Sequence, residues 1–197
     1  MKKAFLSAGC IVLVLIFTHV ANAGSILSIS SQTVTLGNTA TVTLDISGIP
    51  AGTALGVYDL NVGFRSTTVG FLSAAYGDPL LGDQLDLEGF GTATLTTPGT
   101  GTVELFELSF DSPSVLLSSQ AKDFTLVTLT FNTVAVGQSP LLLSINALGD
   151  ENGGSFSASL SDGMITVNPG TTPEPSTIVM LGSGIVWMTR AFRRKPR

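Results

Sequence analysis

The chain has 197 residues, a formal net charge of −5, one cysteine and one histidine. Cys10 and His19 both lie in a leader-like N-terminal segment. The mature chain therefore has no means of forming a disulfide, a Ser-His-Asp triad, a Cys nucleophile or a His/Cys metal site. Between Gly24 and Thr172, thirteen acidic residues face only Arg65 and Lys122, a net charge of −11 that argues against nucleic acid and anionic lipid as partners.

In chain order, Lys2 and Lys3 form a positive start, and Ala4 to Val20 is largely apolar. Ala21-Asn22-Ala23 then gives the small-x-small pattern that a signal peptidase pocket admits, so residues 1–23 read as a signal peptide cleaved after Ala23. Two alternatives stand beside this. One is an uncleaved anchor helix. The other is a lipid-acceptor box at Ser7-Ala8-Gly9-Cys10, but the main apolar run follows Cys10, which favours a small hydrophobe within the leader.

The next 149 residues, to Thr172, are enough for one domain with a proper core. Ala40, Val42, Leu44 and Ile46 alternate with polar residues, as do Tyr58, Leu60, Val62 and Phe64. Period-2 alternation predicts half-buried strands. Further strands are expected near 26–35, 68–75, 92–96, 102–110, 123–134, 141–147 and 155–167. Turn signals separate them at 47–50, Thr-Pro-Gly 97–99, 137–140 and Asn-Gly-Gly 152–154. No stretch of the domain shows helical periodicity.

The apolar phase slips twice: from Val103 and Leu105 to Phe106, Leu108 and Phe110, and from Phe124 and Leu126 to Val127, Leu129 and Phe131. One extra residue in each strand keeps every apolar side chain inward, which predicts β-bulges near 105–106 and 126–127. About nine strands around one core make an all-β, nine-stranded jelly-roll sandwich spanning 24–167.

Residues 168–175, with Pro169, Gly170, Pro173 and Pro175, read as a linker. Residues 176–197 hold thirteen uncharged residues from Thr177 to Thr189, then Arg190, Arg193, Arg194, Lys195 and Arg197. This is short against the ~20 residues of an easy span. Snorkelling of Arg190 and Arg193 extends it, and Trp187 suits an interfacial position. A transmembrane segment with a cytoplasmic basic tail is expected, rather than a soluble helix.

The densest polar stretch is 78–88. Asp83, Asp86 and Glu88 are the candidates there for a Ca²⁺ site of hard oxygen ligands, and a carboxylate pair could in principle hydrolyse a glycosidic bond. The spacing matches no EF-hand, and Leu85 and Leu87 alternate with the acids, so a solvated loop without metal or cofactor is the preferred reading. Asp150 to Gly154 reads as a hairpin turn. Glu104 and Glu107 are expected to be exposed on one strand. The sole Trp lies in the tail and most Phe residues fall at core parity, which leaves few aromatic platforms for a sugar.

Two resemblances follow from these residues. Pro173-Glu174-Pro175, the apolar segment with Gly182-Ser183-Gly184 and the terminal basic cluster together resemble the PEP-CTERM sorting signal of Gram-negative bacteria. That resemblance implies recognition by an exosortase and removal of the tail around Pro173–Pro175. It further implies transient anchoring in the inner membrane, then residence in the cell envelope, at the cell surface or in the exopolysaccharide matrix of a biofilm. Val34-Thr35-Leu36-Gly37 with the strand to Ile46, and Leu55 to Phe64, resemble cohesin-like domains. That resemblance implies a non-catalytic binding module for a dockerin-like protein or a polysaccharide. A carbohydrate-active enzyme using the 78–88 acids and a purely structural matrix protein are the alternatives.

Overall fold

The computed structural model describes residues 24–170. The leader, with Ala21 and Ala23, and the motif, apolar segment and basic tail of 173–197 lie outside the described residues. Among the described residues, no helix is long and apolar enough to cross a membrane.

Eleven strands form the domain: β1 (Ser25–Ile29), β2 (Gln32–Thr35), β3 (Thr39–Ser47), β4 (Leu55–Gly63), β5 (Val69–Tyr76), β6 (Thr92–Gly99), β7 (Thr102–Ser109), β8 (Phe124–Thr133), β9 (Gly137–Asp150), β10 (Ala158–Ser161) and β11 (Gly163–Asn168). One sheet runs β10-β1-β3-β8-β5 and the other β2-β11-β9-β4-β7-β6. The expected alternation holds. Ala40, Val42, Leu44 and Ile46 of β3 and Tyr58, Leu60 and Val62 of β4 are buried between the sheets. The Phe131 ring packs edge-on against Phe64 and Phe71, with centroids 5.3 and 5.9 Å apart. Tyr76 joins the edges of the two sheets, its hydroxyl donating to the Leu95 carbonyl at 2.7 Å.

The count of nine strands is corrected to eleven, because 26–35 and 155–167 each break and change sheet. β1 pairs in parallel with β10, and β2 in parallel with β11. The two chain segments thus cross from sheet to sheet side by side, at Ser30-Ser31 and at Asp162. The Ser31 Oγ accepts from the Met164 N–H at 2.9 Å, and the Asp162 carboxylate accepts from the Leu143 N–H at 2.8 Å. A Cβ at Gly163 would lie 2.5 Å from the Ile29 carbonyl oxygen and 2.6 Å from that of Ser30, so only glycine lets the crossings touch.

A helix is also present where none was expected. α1 (Pro113–Ser119) starts with Pro at its first turn and buries Leu116 alone. Seven residues with one inward side chain give no periodic signal.

The bulge expected near 126–127 is there: Leu44 pairs with Val127 and Asp45 with Thr125, leaving Leu126 as the extra residue. Leu126 and Val127 are both buried in consequence. The bulge expected near 105–106 is absent, since β7 keeps register with both β4 and β6. Extra residues instead sit at Gly56 in β4, Leu72 in β5 and Asn146 in β9. Thr97–Gly99 and 137–140 are strand, not turn. Pro98 is tolerated because β6 is an edge, and the tight turn falls at Thr100-Gly101, where Gly101 takes a φ of 77°.

The connections gather at two ends of the sandwich. Gly24, the 48–54 turn, the 77–91 loop, α1 with its flanks to 123 and the 151–157 turn lie at one end. The 36–38, 64–68, 100–101 and 134–136 turns and the exit at 168–170 lie at the other. Asp78, Asp83, Asp86, Glu88, Asp111, Asp123, Asp150 and Glu151 all sit at or beside the first end. The second carries no acid, and its one charged residue is Arg65.

Candidate functional site

The acids of the 77–91 loop are drawn into one connection but not to one point. Asp83 accepts from the Leu85 N–H at 2.9 Å, Asp86 from Gly91 at 2.8 Å, and Glu88 from Ser112 at 2.7 Å. Asp78 accepts from Thr125, Leu81 and Leu80, and these N–H donors hold its carboxyl below the usual carboxylate range. No group of three or more acidic, Cys or His side chains is disposed to hold a metal among the described residues. The carboxylates here satisfy backbone donors in a loop too tortuous to pair its own N–H groups.

The loop is also packed. Leu85 is buried, and the buried Gln84 accepts from the Ala121 N–H at 2.9 Å through its side chain. Gln120, at the end of α1, accepts from the Leu55 N–H at 2.7 Å and donates to the carbonyls of Leu55 at 2.9 Å and Gln84 at 3.0 Å. One amide side chain thus ties the loop, α1 and β4 together.

Glu107 corrects the expectation of an exposed strand carboxylate. It is 1% exposed and continues the inward row of Val103 and Leu105. The Tyr58 hydroxyl donates to one of its oxygens at 2.7 Å and the Thr92 hydroxyl to the other at 2.9 Å. Burial raises its pKa to about 7 despite these donors, and the neighbouring Asp83 adds to the rise. Burial and Glu107 together push the Tyr58 hydroxyl up as well. Asp83 is thus a second carboxylate beside this pair, and with its own oxygen accepting from the Leu85 N–H the three groups form a polar cluster where β4, β7 and the 77–91 loop meet. Its signal was in the sequence: a Glu in phase with Val103 and Leu105, able to meet a Tyr in phase with Leu60 and Val62.

The outward faces of the two sheets differ in kind. On the first sheet, Thr41 pairs with Thr130, Thr43 with Thr128 and Asp45 with Thr125, a polar ladder in which the Thr125 and Thr43 hydroxyls donate to Asp45. On the second sheet, cross-strand rows set Val57 beside Leu108 and Ala93, and Asp59 beside Phe106 and Leu95. Leu95 is 56% exposed, Leu108 is exposed and Phe106 half-buried. Polar groups flank this stripe. Asn61 donates to Asn146 and Asn146 to Asp59, both at 3.0 Å, and Glu104 stands next to Asn61. Phe106, Leu108 and Phe110, assigned to the core by parity, are the residues that build or border the outward stripe.

No protein-family model and no curated protein matches the chain. Solved structures do. A type I cohesin in complex with a dockerin, from Clostridium thermocellum, is 13% identical, with a TM-score of 0.60 over 74% of this chain and 99% of that one. The seventh ScaB type I cohesin of Pseudobacteroides cellulosolvens is 15% identical, with a TM-score of 0.57 over 77% and 96%. A non-cellulosomal cohesin from the archaeon Archaeoglobus fulgidus is 14% identical, with a TM-score of 0.55 over 79% and 96%. The domain is a two-sheet β-sandwich with a cohesin-like fold.

Proposed function

We propose that this protein is an exported, non-catalytic interaction module that takes a protein partner on the outward face of β9, β4, β7 and β6. The observation that carries this reading is the stripe of Leu95, Phe106, Leu108 and Val57, rimmed by Asp59, Asn61, Glu104 and Asn146. An apolar centre with a polar rim is the anatomy of a protein interface. The first sheet, with its threonine ladder, offers no such centre. A flat face with Phe106 as the one ring inside it and Phe110 at its border suits a protein better than a polysaccharide. The cohesin solved with its dockerin supports a protein partner by fold alone. Residues 1–23 act as the signal peptide, and Pro173-Glu174-Pro175 with the apolar segment and basic tail acts as an exosortase-read address. The module then reaches the cell envelope or the extracellular matrix of a Gram-negative bacterium.

The test is a partner captured from producing cells and rebound as a purified protein. Phe106→Asp should weaken that binding at least ~10-fold, and Thr130→Asp on the opposite face should not. Binding indifferent to Phe106→Asp, or lost only with Thr130→Asp, overturns the assignment of the face. Enrichment of polysaccharide alone overturns the protein partner.

A further inference from the structure

We infer that the end of the sandwich from which the chain leaves is a membrane-resting surface, and that the domain lies with this end against the bilayer while it is tethered. This rests on the proposed membrane segment in 176–197. The described chain ends at Gly170, beside Thr35. Only seven residues, 171–177, separate it from Ile178, where the apolar run begins. Fully extended, they reach about 25 Å. That reach keeps the domain close to the lipid surface, and the chemistry of its two ends sets which one faces the bilayer.

The exit end has the chemistry for that position. Leu36, Val134 and Val136 are 41%, 52% and 51% exposed, each on a turn at this end. The turns form one hydrogen-bonded unit. The Gly37 N–H donates to the Thr133 hydroxyl at 2.8 Å, and that hydroxyl donates to the Asn38 carbonyl at 3.0 Å. The Leu36 N–H donates to the Asn168 carbonyl, and the Val134 N–H to that of Thr68, each at 2.8 Å. Three apolar side chains are thus presented together around the chain exit. Arg65 stands on the adjoining turn, beside a shallow groove of about 330 Å³ lined by Phe64, Pro140 and Leu142 among others. A guanidinium there is placed for lipid phosphate.

Charge decides the orientation. The domain total of −11 argues against anionic lipid only if the acids are evenly spread. They are not: none lies in the exit turns, and eight lie at or beside the opposite end. Over a Debye length of about 8 Å, a lipid surface under the exit end meets Arg65 and apolar side chains, with Glu104, two residues into β7, the one acid near it, and is screened from the acidic end.

The experiment uses the full chain in vesicles of phosphatidylethanolamine and phosphatidylglycerol, in a Cys10→Ser background. Single cysteines at Val134→Cys, Val136→Cys and, at the far end, Ser114→Cys carry a polarity-sensitive dye. Dye at 134 and 136 should shift to the blue and be quenched at least two-fold by headgroup-labelled lipid, with no change at 114. Replacing Leu36 and Arg65 by Asp should reverse the shift at 134. Trp187, the sole tryptophan, reports the tail independently through quenching by brominated acyl chains. Trp187 quenched with all three dyes equally exposed overturns the resting surface and leaves the tether standing. Trp187 unquenched overturns the tether, and the resting surface with it.

Discussion

Glu107 shows how one residue can hide behind a correct pattern. Its neighbours Phe106 and Leu108 are apolar, so parity alone turned the strand over and sent Glu107 outward. Apolar residues on this strand serve two surfaces, and the carboxylate stays inside because Tyr58 and Thr92 each supply a donor. Its titration is measurable. The carboxyl keeps its proton to about pH 7 when folded, against an ordinary value of 4.5. Between these values the folded state binds more protons. The associated stability is therefore full below about pH 4.5 and is lost as pH rises through 7, amounting to about 3 kcal/mol. Melting temperatures from pH 5 to 8 should fall for the native chain and flatten for Glu107→Gln. Parallel curves for the two proteins would refute the assignment.

At the scale of elements, the same phase slip had two causes. In β8 it marks a real bulge at Leu126, because Val127, Leu129 and Phe131 must all reach the core. In β7 it marks a second apolar face turned to solvent. Local sequence cannot separate these, since the difference is what the opposite strand presents. The helix α1 was illegible for another reason: it exists to deliver Gln120 rather than to bury a stripe. Gln120→Leu should strand the Leu55 N–H and carbonyl and the Gln84 carbonyl, all inside the fold. We expect a loss of about 3 kcal/mol in urea unfolding and faster amide exchange across 77–91. A change within ~0.5 kcal/mol would show that the amide is not the tie.

For the whole molecule, fold class and most strands were legible from period-2 alternation. Sheet membership was not, because a strand that changes sheet at Ser30-Ser31 reads the same as one that stays. The separation of charge between the two ends was equally invisible, for it depends on which turns share an end. Processing belongs to this scale too. Replacing Pro173-Glu174-Pro175 by alanines should leave a full-length, membrane-retained species by intact mass and fractionation. Normal cleavage of that variant would refute the proposed sorting signal.

The side-by-side crossing also sets how the domain bears load. A pull on the tail, with a partner held on the second sheet, draws β11 along its own axis. β11 is bonded to β2 on one side and to β9 on the other. Both sets of bonds lie across the force and must yield together, as in shear, instead of opening one after another like a zip. The strand that connects the domain to its tether is therefore among the hardest to peel away.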